Sequence, residues 1–260
     1  METIEVTRAD GGIVTVTLNR PEKKNAINDL MWGELLAALR EIAGSDDRVV
    51  IVTGAGGAFC SGADLSGGGV DAGARSPHQL AMMRRVGDVA LTLHRLPQPV
   101  IAKVGGVAAG AGANMAFGCD LIVASDEARF TEIFARRGLT IDFGGSWLLP
   151  RLIGLHKAKE LAFFADIISA KEAEAFGLVN RVVPAGELDA FVDDWAQKLA
   201  TGPPIALAQT KRLLNNSMAV TMEEALDDEG AAQTVNFGTA DTAEAMAAFL
   251  GKRDPRFTGR

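Results

Sequence analysis

The chain has 260 residues, 48% of them hydrophobic and 23% charged, enough to bury one large globular domain or a core with a small appendage. Its formal net charge of −7 argues against a nucleic-acid partner, and no apolar run is long enough for a membrane span. The opening METIEVTRAD carries acids at once and no apolar h-region, so no signal peptide is expected. Two cysteines, Cys60 and Cys119, give no disulfide framework; this fits a reducing cytoplasm and reads both as small buried hydrophobes.

Ile4 and Val6, then Val14, Val16 and Leu18, alternate with polar residues around Asp10-Gly11-Gly12, which predicts an opening β-hairpin. Asn28 caps a predicted helix carrying Trp32, Leu35, Leu36, Leu39 and Ile42 at helical spacing, and Gly44 ends it. A short buried strand follows over Arg48–Thr53, then the glycine loop GAGGAFCSGAD. Met82, Val86, Val89, Leu93 and Leu96 form a second helical stripe that Pro97 and Pro99 stop. Pro99–Val104 is a strand leading into a Gly/Ala run that becomes a buried helix by Asn114, and Asp120–Ser125 is the next strand.

Beyond it, Gly145–Phe164 reads as a helix broken near Pro150. Ser169-Ala170-Lys171-Glu172 is a capping box, with Gly177 as the C-cap and Leu178–Val183 as the last strand. From Glu187 onward the pattern is helical only: 187–200, 204–217, a helix from the capping box Thr221–Glu224, and a short one before Arg253. The reading divides the chain into a core over 1–195 and a helical region over 196–260, without exact repeats or low-complexity tracts.

Familiar motifs fit poorly. Gly110-Ala111-Gly112 follows a strand, but Met115 stands where a dinucleotide fingerprint needs its third glycine. No glycine loop contains Gly-Lys-Ser/Thr, and Gly144-Gly145-Ser146-Trp147-Leu148 lacks the last glycine of a nucleophile elbow. His78, His94 and His156 have no metal-ligand spacing, so no metal is expected. What remains is a pair of segments. Val104–Ser125 is rich in Gly and Ala with no charge before Asp120, and Gly138–Gly154 holds one carboxylate, Asp142. Small residues let backbone N–H groups approach a ligand closely, and two converging on one oxygen form an oxyanion hole; they equally permit tight helix–sheet packing. Asp142 reads either as a turn or N-cap residue or as a poised base.

These segments, with Asn19-Arg20-Pro21, Asn25-Ala26, Ala58–Asp64, Pro99–Ala102, Ser169–Pro184 and the tail Phe249–Phe257, resemble the crotonase (enoyl-CoA hydratase/isomerase) superfamily over nearly the whole length. The resemblance implies an α/β fold, a crotonase-type spiral of ββα units with a C-terminal helical trimerisation region. It also implies an acyl-CoA substrate and a homotrimer or dimer of trimers, with no cofactor beyond the coenzyme A thioester that is itself substrate. Ala63 and Ala111 are implied as the two backbone donors. Hydratases of the superfamily use two glutamates; here Asn114 and Phe134 stand at those positions, and neither can act as a carboxylate acid or base. Asp142, in Gly-Leu-x-x-Asp-x-Gly, instead resembles the acid of superfamily isomerases, among them those acting on a ring epoxide of phenylacetyl-CoA, as do Trp147-Leu148-Leu149-Pro150-Arg151 and Pro255-Arg256-Phe257.

The expectation is therefore an isomerase that shifts a double bond through a thioester enolate, with Asp142 as acid and base. A hydratase-type lyase with a non-standard acid set and a non-catalytic acyl-CoA-binding homologue are the alternatives. Around the substrate the resemblance gathers Lys24 and Ala26 from the first loop, Ser61, Gly62, Asp64 and Leu65 from the second, and Gly110 and Asn114 from the third. Phe134 and Trp147 join them, with Lys252 of the tail reaching toward a neighbouring subunit's coenzyme A phosphates. Lys and Arg in these loops read equally as solvated charges. Asp64 and Asp120 are expected to be structural; Glu132, two residues before Phe134, is a second acid near the expected pocket that is given little weight as surface-directed; about Ser66 to Met83 are expected to line the acyl pocket.

Overall fold

The computed structural model describes residues 1–65 and 78–260, so most of the segment expected to line the acyl pocket lies outside the described residues. β1 (Ile4–Ala9) and β2 (Ile13–Leu18) form the expected antiparallel hairpin, with Ile4 opposite Leu18. α1 (Asp29–Ala43) begins at Asn28, whose side chain accepts a hydrogen bond from the Met31 amide at 2.9 Å. It buries Met31, Trp32, Leu35, Ala38, Leu39 and Ile42, each large side chain contributing about 1.5–3 kcal/mol. β3 (Val49–Gly54) follows, then α2 (Gln79–His94), β4 (Val100–Val104), β5 (Val107–Ala109) and α3 (Ala111–Phe117). β6 (Leu121–Ser125) and β7 (Arg129–Thr131) lead to α4 (Gly145–Phe164), β8 (Ile168–Ser169), α5 (Ala170–Phe176) and β9 (Arg181–Val183).

The main sheet has the order β1-β2-β3-β4-β6-β9, parallel from β2 onward, and β5-β7-β8 form a second, smaller sheet. Isolated bridges between Ile27 and Ala63, and between Cys60 and Ala108, extend the pairing of the second layer across neighbouring turns. Each turn of chain thus lays one strand in the main sheet and a short extended stretch beside it before its helix, a ββα spiral without sequence repetition. β5, β7 and β8 are only two or three residues long, too short for alternation to show in the sequence.

The helix over 145–164 passes through Pro150 and breaks at Gly154 instead (φ 75°, ψ 158°). Proline's fixed φ suits a helix, whereas Gly154 takes a backbone conformation that other residues avoid. The two capping boxes form as expected, Ser169 with Glu172 and Thr221 with Glu224. α6 (Leu188–Ala200) lays Leu188, Val192, Ala196 and Ala200 against Ile13, Val49, Ile51, Ile101 and Val123 of the main sheet, so the boundary at 195/196 falls inside a helix that packs on the core. α7 (Pro204–Asn216), α8 (Met222–Phe237) and α9 (Ala240–Leu250) follow. Lys211 of α7 pairs with Asp120 at 2.6 Å, and Asp120 also accepts from the Val100 amide at 2.7 Å, which joins α7 to the start of β4. Among the described residues no helix is long and apolar enough to cross a membrane.

Asn25 fastens the first two turns together. It is fully buried with φ 57°, and its Nδ2 faces the carbonyls of Ala55 (2.9 Å), Ala58 (2.9 Å) and Phe59 (3.2 Å), while its Oδ1 accepts from the Arg20 amide at 3.0 Å. Truncation would leave several buried backbone groups unpaired, each costing about 1–3 kcal/mol. Asn25→Ala is expected to lower unfolding stability by about 3 kcal/mol or more, read as a drop in the urea midpoint at fixed protein concentration.

Candidate active site

Three loops meet beyond the ends of β2, β3 and β4. The first, 20–27, runs beside the second, 58–64: the Ser61 amide donates to the Lys24 carbonyl, Ile27 to Gly62, and Asp64 to Ile27. Arg20 ties them further, its Nη1 donating to the Ala26 carbonyl at 2.6 Å and pairing with Asp64 Oδ2 at 2.9 Å. Asp64 thus takes part in holding the loops together. Lys24 is exposed at a left-handed turn, Ala26 is buried, and Leu65 stands 61% exposed at the end of the loop.

The second loop docks on the third through backbone alone. The Phe59 and Cys60 amides donate to the Val107 carbonyl and the Ala109 amide to the Cys60 carbonyl. Gly112, in the first turn of α3, has no room for a side chain, because a Cβ there would collide with the Cys60 carbonyl oxygen and sulfur. Cys60 is buried, and desolvation pushes its thiol up to about 12, consistent with a packing role rather than a reactive one. A methyl group on Gly62 would stand 2.9 Å from the Ala109 oxygen and 3.8 Å from the Ala111 nitrogen, so the two glycine loops lie in contact. Gly110, at φ 52° and ψ −124°, turns the chain from β5 into α3. Among the described residues the amides of Ala63 and Ala111 have no hydrogen-bond partner. Phe134 packs over Gly110, within 3.4 Å of where a Cβ would be.

Asn114 is fully buried on α3 beneath these amides. Its Nδ2 donates to the Asp142 carbonyl at 3.0 Å and faces Glu132 Oε2 at 3.2 Å. A Cβ on Gly145 would lie 2.5–2.6 Å from this amide, so the first residue of α4 must be glycine for Asn114 to sit there. Asp142 does not cap α4 with its carboxylate. Its carbonyl takes the turn bond from the Gly145 amide at 3.0 Å, whereas Oδ1 is buried without a partner. Desolvation raises its pKa to about 6, leaving a carboxylate that is ionised at neutral pH yet a better base than usual. The next residue, Phe143, adopts φ 49°, an uncommon backbone for a bulky side chain; its buried ring stacks on Trp32 of α1 at 5.7 Å.

Glu132 lies near the pocket as the sequence suggests, but its side chain turns inward. It is 3% exposed, not surface-directed, and lies in the Asn114–Asp142 cluster with Oε1 unpartnered. Burial and the neighbouring Asp142 charge push its pKa up to about 8, against the opposing hydrogen bond from Asn114. One signal was present in the sequence. Phe130 and Glu132 stand two residues apart where β7 ends, the spacing that puts side chains on one face of an extended chain, and both are buried.

Trp147, 39% exposed, borders a cavity of about 740 Å³ between α2, α4 and α7, with Leu91, His94, Phe143 and Asn215 among its walls. Its ring meets His94 edge-on at 5.3 Å and carries the Arg151 guanidinium 4.0 Å above it. Lys252 lies apart from this group. It follows α9, in a tail whose Phe257 carbonyl accepts from Arg48 at 3.2 Å, near the start of β3 and so at the opposite end of the parallel strands. Within one chain the tail does not approach the three loops, as an approach across a subunit boundary would require.

The spiral of ββα turns and the apposed glycine loops match what is known of one family, and the chain belongs to it: the enoyl-CoA hydratase/isomerase family model matches residues 8–260. The chain is similar to the 1,2-epoxyphenylacetyl-CoA isomerase of Escherichia coli K12, at 38% identity over 257 residues covering 98% of each chain. It is also similar to the short-chain-enoyl-CoA hydratase of Clostridium acetobutylicum, at 36% identity and 95% coverage of each. Among solved structures, an enoyl-CoA hydratase from Bacillus anthracis superposes with a TM-score of 0.93 at 34% identity, covering both chains fully.

Proposed function

We propose that the protein is an acyl-CoA isomerase that moves a double bond from the 3 to the 2 position of an enoyl-CoA, or isomerises a ring-epoxide acyl-CoA, with Asp142 as acid and base. The observation that carries this reading is the Asp142 carboxylate, half-buried, without a capping role and raised in basicity, while Asn114 and Phe134 occupy the positions of the hydratase acids. The similarity to an isomerase at 38% identity agrees with it.

In the proposed step, Asp142 takes a proton from the carbon next to the thioester. The electron pair moves through the carbonyl to its oxygen, giving an enolate conjugated with the 3-alkene. The pair then returns as the proton is delivered two carbons away, leaving the alkene conjugated with the thioester. The unpartnered amides of Ala63 and Ala111 hold the enolate oxygen, and one such donor is worth roughly 3–4 kcal/mol in the transition state. Lys24 takes up coenzyme A phosphate from one chain and Lys252 from a neighbour.

The names of other relatives support a rival, addition of water to a 2-enoyl-CoA. The conjugated thioester chromophore separates the two: it grows from a 3-enoyl-CoA if the protein is an isomerase and fades from a 2-enoyl-CoA if it is a hydratase. No change with either, together with tight coenzyme A thioester binding, supports a non-catalytic homologue. For the isomerase, Asp142→Asn is expected to lower kcat by about 10²–10⁴-fold. Activity of the unaltered protein should rise with pH through about 6, since only ionised Asp142 can take the proton. Turnover undiminished in Asp142→Asn rejects the assignment.

Proline is tolerated at the first position of a helix, where Ala111 stands, but has no N–H to donate. Ala111→Pro is expected to lower kcat by roughly 10²–10³-fold, with the unfolding midpoint as the control for an intact fold.

Self-association as a homotrimer or a dimer of trimers is supported by the apolar side chains left exposed on α7 to α9 and at and just beyond the end of α4, Leu214, Met222, Phe237, Phe249, Phe164 and Ile167 among them. Sedimentation equilibrium should give three or six times the 27.3 kDa chain mass; a monomer at micromolar concentration would reject it.

A further inference from the structure

The proposed proton shift uses one carboxylate, yet the structure buries two side by side. Glu132 is 3% exposed, and its one hydrogen bond comes from a neutral amide, Nδ2 of Asn114. Among the described residues no lysine or arginine forms an ion pair with it. The elements packed around it bring little charge. α3 supplies Asn114 and no titratable group, and the first turn of α4 supplies none. Its own segment continues into Arg136 and Arg137, which are exposed, Arg136 being paired with Asp166 at 2.8 Å. The titratable group that reaches it is Asp142, a like charge. Two carboxylates in one desolvated pocket cannot both ionise cheaply, and the more buried one keeps the proton.

The same amide that reaches Glu132 also holds the Asp142 carbonyl, at 3.0 Å. Asn114 Oδ1 and Glu132 Oε1 are both buried without partners. An Asn114 amide free to turn over would present its oxygen to the Asp142 carbonyl and repel it. In the observed arrangement Glu132 Oε2 accepts from Nδ2, which keeps the donating end of the amide on that carbonyl.

We propose that Glu132 is a positioning residue that stays protonated beside Asp142, orienting the Asn114 amide that holds the Asp142 loop and adding no second negative charge to that of Asp142. The second half of this inference rests on Asp142 being the base. Ionising Glu132 would place a second negative charge near the developing enolate, and activity would then fall as pH rises. The raised pKa of Glu132 puts that decline near pH 8, above the rise that Asp142 sets near 6.

Glu132→Gln copies the protonated side chain: its carbonyl can accept from Asn114, and its amide stays neutral at every pH. Two readouts test the proposal. The first needs no turnover. Below the usual carboxylate range Glu132 is protonated in both the folded and unfolded chain. As pH rises the unfolded chain ionises first, so burial of Glu132 costs progressively more stability up to about pH 8. The urea midpoint of Glu132→Gln should therefore gain on the unaltered protein between about pH 5 and 8 and level off above. A difference that stays flat across that range overturns the protonated state. This readout stands even if the protein turns over no 3-enoyl-CoA, the result that would reject the isomerase reading by itself.

The second readout is the pH profile of kcat/KM. Glu132→Gln should keep the rise near pH 6, stay within about threefold of the unaltered protein at pH 7, and lose the fall near pH 8. Glu132→Ala, which leaves Asn114 unheld, should lose roughly tenfold or more in kcat with KM little changed. A fall near pH 8 that persists in Glu132→Gln overturns the proposal. So does a loss at pH 7 as large in Glu132→Gln as in Glu132→Ala, since Glu132 would then have to exchange its proton rather than keep it.

Discussion

The structure depends on how closely the chain at Cys60–Gly62 approaches the chain at Ala109–Gly112. The two run in contact through backbone hydrogen bonds, and no side chain could be inserted at Gly112 without moving Cys60. This approach joins two successive turns of the spiral, and among the described residues the amides of Ala63 and Ala111, on the adjoining loops, are left without hydrogen-bond partners. The question of whether the glycine and alanine residues serve close packing or ligand approach has the answer that they serve the packing, and that the unpartnered amides are its by-product.

The acidic side of the site is organised by a neutral residue. Asn114 gathers Glu132 and the Asp142 loop around one amide group. Gly145 gives that amide its room, and Phe143, held at an unusual φ by its stack on Trp32, completes the loop from the other side. Carboxylates that would cost little at the surface are here shifted strongly, because among the described residues neither has a cation to offset desolvation.

Much of this was legible from residues. The hairpin, α1 with its Asn28 cap, the two capping boxes and the helical tail all follow from local signals strong enough to survive folding. The helix break was placed at Pro150 rather than Gly154 because proline announces itself, whereas a glycine in a helical stretch has to be seen to turn. β5, β7 and β8 escaped notice, being shorter than one full alternation. The inward turn of Glu132, an acid the sequence does place near the pocket, is hidden for a related reason. Burial of this residue depends on neighbours from α3 and the 139–144 loop, and the brief Phe-x-Glu spacing that hints at it sits where strand becomes turn. Asp142 could be singled out from sequence, but that its carboxylate caps nothing could only come from coordinates.

The stacking of Phe143 on Trp32 has a consequence for when the chain becomes competent. Trp32 belongs to the helix of the first turn, Asn114 to that of the third, and the Asp142 loop is suspended between them. Neither attachment exists within a single turn. A nascent or partly unravelled chain can therefore carry every residue of the cluster and still leave Asp142 unplaced. The position of the loop is set only by long-range closure, when the first and third turns are both in place.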